Sequence, residues 1–263
     1  MEKKPLILIT NDDGINSDGL WAAVQSLAGT AEVVVAAPDR DQSGMGTSVS
    51  LTRPVRATEV ASQVAGVKAY SIEGTPADCT ILALEKLFGT ADLVVSGINK
   101  GANLGEDVMI SGTVGGALQA YTRDIPSVAI SVASLKAARF DTAGQLLRRL
   151  ADQIASGVLS GPVFLNINLP SIEPKQIEGV EITRLARRAY TDTVTEGDDG
   201  RRPYYWIARS RPEPKFDVGT DAWAVRNNRV SITPLHTDMT NISKLPALEE
   251  LSLLLSEPLK GTC

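Results

Sequence analysis

In the first two thirds of the chain, short apolar runs alternate with amphipathic segments, and this alternation constrains the fold more than any other feature. Such runs suit parallel strands buried on both faces, and the segments between them suit crossover helices. LILIT (6–10) leads into a helix that puts Leu20, Val24 and Leu27 on one face behind a Ser17 cap, and EVVVAAP (32–38) completes a βαβ unit. AYSIEG precedes TPADCTILALEKLFG, where Thr75 suits an N-cap, Pro76 the first helical position, Asp78 a capping-box variant and Gly89 the helix end. DLVVSGI (92–98) reads as a buried strand. A glycine-rich loop then opens a helix near Thr113, followed by strand SVAISVA (127–133), a helix over 141–156 and strand FLNINLP (164–170). The expected architecture is α/β, a doubly wound, mostly parallel sheet filling residues 1–175.

Beyond Pro170 the pattern changes. EITRLARRAYTDTV and PYYWIARS read as long strands flanking EGDDGRR, whose Gly and Asp residues suit a turn, so residues 176–263 are expected to carry a C-terminal β-hairpin arm and to return only in part to the core. A helix in DAWAVR, a strand in RVSIT and an amphipathic LPALEELSLLL follow. The Tyr204, Tyr205 and Trp206 run is read as interface or hairpin packing ahead of base stacking.

Several classes of partner and chemistry are excluded. A net charge of -5 gives no footprint for long nucleic acid. The apolar run near the N-terminus is too short for a signal core, and no stretch approaches the roughly 20 residues of a membrane span. The two cysteines, Cys79 and Cys263, make no disulfide framework, and a cytoplasmic location is expected. The sole histidine, His236, rules out a His/Cys zinc site and reads as a structural hydrogen-bonding group. Neither GxxxxGK[ST] nor GxGxxG occurs.

Oxygen-ligand chemistry remains. In an open parallel sheet, ligands bind beyond the carboxyl ends of the strands. There the chain places Asn11, Asp12 and Asp13 after the first strand, Ser43 in DRDQSGMGTS after the second, and Asn99 after DLVVSGI. Two carboxylates, a hydroxyl and an amide oxygen form a hard shell suited to Mg²⁺ or Mn²⁺. The competing reading makes Asp12 and Asp13 a turn and a helix cap. In GANLGEDVMISGTVGGA, Ser111, Gly112 and Thr113 open a helix whose amides attract an anion, although Ser111 or Thr113 also suits a cap for its own helix. Metal set and anion loop together describe metal-assisted phosphoester hydrolysis. The aspartates are adjacent and lack the DxD spacing of aspartyl nucleophiles, so water is the favoured nucleophile, with Asp12 or Asp13 able to take its proton. The alternative is a non-catalytic nucleotide- or phosphate-sensing module.

These motifs resemble the SurE-type stationary-phase survival proteins, metal-dependent nucleoside monophosphate phosphatases. The resemblance rests on ILITNDDGINSDG, APDRDQSG, YSIEGTPADC, SGINKGANLGEDVMISGTVGGA, and TDAWAV with VSITPLHTDMT, in that order over most of the chain. It implies that Asp12, Asp13, Ser43 and Asn99 are metal ligands and that Asn11, Gly44, Asn103, Ser111, Gly112 and Thr113 line the phosphate site. It also implies a Rossmann-like core, hydrolysis of nucleoside 5'- and 3'-monophosphates with short polyphosphate as a side substrate, and a homodimer or homotetramer associating through the arm. Gly115, Gly116 and Gln119 depart from the alanine-like residues and glutamate expected of the family.

Overall fold

The structure is a computed structural model that describes residues 4–158, 161–187, 191–210 and 216–259. Its centre is a nine-stranded sheet. The left half runs from β1 (Leu6–Thr10) through β2 (Glu32–Pro38) and β4 (Lys68–Ile72) to an edge strand, β3 (Ala57–Val60). The right half runs from β1 through β5 (Leu93–Lys100), β6 (Ser127–Val132) and β7 (Phe164–Leu169) to β11 (Val230–Pro234) and β8 (Val180–Ile182). The six strands from β4 to β7 are parallel. β3 pairs antiparallel with β4, β11 antiparallel with β7, and β8 parallel with β11.

Three of the four helices that cover the sheet begin at a side-chain cap. Helix α1 (Asp18–Leu27) starts at Ser17, whose hydroxyl accepts the Leu20 amide, and buries Leu20, Val24 and Leu27 as expected. Helix α2 (Pro76–Leu82) carries the full capping box of Thr75 and Asp78, continues as a π-helical turn over 83–87 and ends at Gly89, φ +82°. Helix α3 (Gly112–Tyr121) is capped by Ser111, and α4 (Asp141–Ala155) packs on α1. α1 and α4 cover one face of the sheet, over Ile7, Ile9, Val35, Val95, Ile130 and Ile167. α2 and α3 cover the other, over Leu8, Val34, Val94 and Ala129.

The chain leaves β1 toward β2 and β4, then returns to place β5 on the opposite side of β1. The strand order therefore reverses between β1 and β5, and the crevice of a doubly wound sheet opens at their carboxyl ends.

The C-terminal segment differs from the sequence-based expectation in one respect. The long strand expected over 181–194 is interrupted: β8 ends at Ile182, Arg184 makes only an isolated bridge to Thr220, residues 188–190 lie outside the described residues, and β9 (Thr191–Asp198) begins a separate sheet. Thr183 is still anchored to β11, its Oγ1 2.8 Å from Ser231 Oγ and 2.7 Å from Thr233 Oγ1, but Arg184 then turns its backbone to Gly219 and Asp221, which ends the strand. The hairpin itself forms as expected from β9 and β10 (Pro203–Ser210), closed by a turn in which Asp199 accepts the amides of Arg201 and Arg202. α5 (Asp221–Arg226) leads into β11, and α6 (Leu245–Leu259) closes the described chain, while Cys263 lies outside the described residues. No helix among the described residues is long and apolar enough to cross a membrane.

Candidate active site at the β1/β5 crevice

The crevice is a cleft of about 580 Å³ lined by Asp12, Ser43, Gly44, Asn99, Asn103 and Ser111 among the residues the sequence singled out, with Lys100, Asp107, Ile110 and Leu135 added by the fold. Asp13, Asn11, Gly112 and Thr113 adjoin it without lining it.

Asp12 lies two residues past the end of β1 and is 4% exposed. Its Oδ1 accepts the Thr113 hydroxyl at 2.7 Å, and its carbonyl accepts the Gln42 amide at 2.8 Å. Gly14, φ +93°, lies against the Arg40 backbone and lets the chain turn back after the acidic pair. Asp13 is half-buried, with Oδ2 accepting the Lys100 amide at 3.3 Å. A third carboxylate, Asp41, holds the Ser43 amide at 2.7 Å.

Burial pushes the Asp12 carboxyl up to about 6; the charges of Asp13 and Asp41 push the same way, and the Thr113 hydrogen bond opposes them. Burial also raises Asp13, with the Lys100 amide pulling back. The Lys100 ammonium is 3.8 Å from Asp18. Adjacent buried carboxylates of this kind are stabilised as anions by a cation. Among the described residues no three His, Cys, Asp or Glu side chains converge as a metal site, so a cation at Asp12 and Asp13 would need neutral oxygens to complete its shell. Asn99 suits that role, because its Nδ2 donates to the Gly101 carbonyl at 2.7 Å and Oδ1 is left as acceptor.

At the start of α3 the capping reading holds, and both hydroxyls are engaged within the protein. Ser111 caps its own helix, accepting the Val114 amide at 3.2 Å, while Thr113 spends its hydroxyl on Asp12. The donors left to the first turn are the Gly112 and Thr113 amides. Gly112 is required by proximity: a Cβ there would sit 2.8 Å from Asp12 Cβ. Gly115 and Gly116 have similar reasons, since a Cβ at the former would lie 2.3 Å from the Gly46 carbonyl oxygen and at the latter 2.9 Å from Ser96 Oγ. Asn11 is wholly buried beneath the turn, donating to the Gly14 carbonyl at 3.1 Å and to Ser17 Oγ at 2.6 Å.

Sequence reasoning missed the supports of this site. Ser131, Asn166 and Asn168 surround Asn103, and Asp221 accepts the Gly105 amide at 2.7 Å, tying the loop after β5 to α5. The signal was visible in the two asparagines of FLNINL, which break an otherwise apolar strand. His236 is exposed and accepts the Asp238 amide at 3.1 Å, away from the cleft lining.

Comparison with known proteins identifies the family and the fold. Residues 7–192 match the family model for survival protein SurE. The chain is similar to a 5'-nucleotidase SurE of Dehalococcoides mccartyi, 48% identical over 233 residues and 88% of each chain. It is also similar to that of Moorella thermoacetica, 45% identical over 240 residues, covering 90% of this chain and 92% of the relative. The crystal structure of a SurE protein from Aquifex aeolicus matches it with a TM-score of 0.81 and 36% identity, across 94% of this chain and 100% of that one. The chain belongs to the SurE survival-protein family.

Proposed function

We propose that this chain is a metal-dependent nucleotidase that hydrolyses nucleoside 5'-monophosphates, and also 3'-monophosphates and short polyphosphate, to release phosphate. The observation that carries the reading is the buried Asp12 carboxylate, paired with Asp13 at the strand-order reversal and held by Thr113 at the start of α3. Relatives named 5'-nucleotidase support the 5' ester as substrate.

Asp12, Asp13, Ser43 and Asn99 would hold Mg²⁺ or Mn²⁺, because their donor atoms are all hard oxygens. When bound, the cation would polarise a phosphoryl oxygen and acidify water at the site. The chain's own groups do the rest. The Gly112 and Thr113 amides, with Ser111, Asn103 and Gly44 around them, orient the phosphoryl group and stabilise charge developing on its oxygens. Asn11 fixes the turn that presents Asp12 and Asp13. Asp12 or Asp13 takes the proton of the attacking water.

In the same reading, residues 1–175 form the catalytic core, residues 176–263 mediate homodimer or homotetramer formation through the arm, and the protein is cytoplasmic. The test is phosphate release from a panel of 5'- and 3'-nucleoside monophosphates and polyphosphate with Mg²⁺, Mn²⁺ or Zn²⁺. Turnover of the 5' esters with Mg²⁺ or Mn²⁺ is expected. Tight binding without turnover would instead make the chain a nucleotide sensor.

A further inference from the structure

A row of polar residues crosses the carboxyl end of the sheet where apolar ones would pack better. Asn99 on β5 is in register with Ser131 on β6, Ser131 with Asn168 on β7, and Asn168 with Ser231 on β11. All are buried, and Asn166, two residues before Asn168 and so on the same face, is buried too. Burying a primary amide is costly unless its donors and acceptor are paired.

The pairing converges on one residue. Asn168 grips the Asn103 backbone at two points, Nδ2 donating to its carbonyl at 3.0 Å and Oδ1 accepting its amide at 2.8 Å. Asn166 Nδ2 donates to the same carbonyl at 2.9 Å. With its backbone fixed, Asn103 extends Nδ2 to Ser131 Oγ at 3.0 Å and to Thr113 Oγ1 at 3.3 Å, and Thr113 donates in turn to Asp12. Among the described residues Asn166 Oδ1 has no hydrogen-bond partner, an arrangement that stability alone does not favour.

We propose that Asn168, assisted by Asn166, is a positioning residue for phosphate recognition: it holds Asn103, whose side-chain amide fixes Thr113 and with it the free Gly112 and Thr113 amides at the start of α3 beside the cleft. This rests on the reading of the cleft as a phosphoesterase site. Neither asparagine touches substrate; both act through Asn103.

The test compares wild type with Asn168→Leu and Asn166→Leu, measuring phosphate binding calorimetrically with Mn²⁺ present, together with steady-state kinetics and melting temperature. In Asn168→Leu, phosphate Kd and substrate KM are expected to rise about tenfold, the effect of one or two lost hydrogen bonds, while kcat falls by less than about threefold. In Asn166→Leu, which keeps the two-point grip, Kd is expected to rise about threefold with a melting temperature equal to or above wild type, because an unpaired buried acceptor is removed. A merely structural role would instead lower the melting temperature of Asn166→Leu and leave its Kd unchanged. An unchanged Kd in folded Asn168→Leu overturns the proposal, and the same result in Asn166→Leu does so if Asn168→Leu fails to fold. Wild type that neither binds phosphate nor hydrolyses a phosphoester overturns the functional reading, and this inference with it.

Discussion

At the scale of single residues, Asp12 is a carboxylate almost withdrawn from water in the lining of the cleft. Asp12 has a folded-state pKa of about 6 against 3.8 for the free side chain, so the folded, cation-free protein binds this proton more tightly than the unfolded chain does. Its contribution to stability is therefore present below about pH 4, declines as pH rises toward 6, and is lost above; the shift is worth at most about 3 kcal/mol. Asp12→Asn, which carries no charge, should consequently be the more stable protein above pH 6 in chelator, with the difference vanishing near pH 4. Adding Mn²⁺ should raise the melting temperature of wild type alone. A melting-temperature difference independent of pH would contradict this. In kinetics, Asp12→Asn and Asp13→Asn should each lower kcat by about two orders of magnitude or more with far-ultraviolet circular dichroism unchanged. Asp12 and Asp13 stood out in the sequence because two carboxylates end an apolar run. Asn166 and Asn168 interrupt an apolar strand just as visibly, but nothing in a strand's own periodicity says which loop will cross above it.

At the scale of elements, helix α3 links the proposed phosphate site to the acidic pair. Its approach to Asp12 depends on glycine at 112, and its packing under the Ser43 loop on glycine at 115, where a Cβ would lie 2.3 Å from the Gly46 carbonyl oxygen. Gly115→Ala should thus cost about 1–3 kcal/mol by overpacking and displace the loop that carries Ser43, weakening Mn²⁺ activation. Urea melts and a Mn²⁺ titration of activity would check this, and an unperturbed variant would show the loop to be more pliable than described. Ser111→Ala combined with Thr113→Ala should weaken inhibition by inorganic phosphate, the first by uncapping the helix and the second by releasing Asp12. Equal inhibition in the double variant would place phosphate elsewhere. The helices were legible element by element because caps such as Ser17, Thr75 and Ser111 are local signals. The edge strand β3 and the short β8 were not, being brief, largely exposed and defined by their partners.

At the scale of the whole molecule, the doubly wound sheet could be read from its alternating pattern, whereas the antiparallel return of β11 onto β7 is a long-range pairing that no local signal encodes. The hairpin leaves Val194, Tyr205, Trp206 and Ile207 at least 60% exposed, and α6 leaves Leu248 and Leu254 more than half exposed. Apolar surface of this kind is normally covered by association. Deleting residues 191–203 should therefore lower the mass seen by light scattering; an unchanged mass would remove the arm from the interface. The central claim is that an oxygen-only cleft at the β1/β5 reversal hydrolyses phosphomonoesters with a hard divalent cation. Its most direct test is phosphate release from a nucleoside 5'-monophosphate after exhaustive chelation, followed by readdition of Mn²⁺ or Mg²⁺. Activity should disappear with the chelator and return with either cation in wild type but not in Asp12→Asn. Full turnover in rigorously metal-free protein, or equal recovery in the variant, would contradict the account.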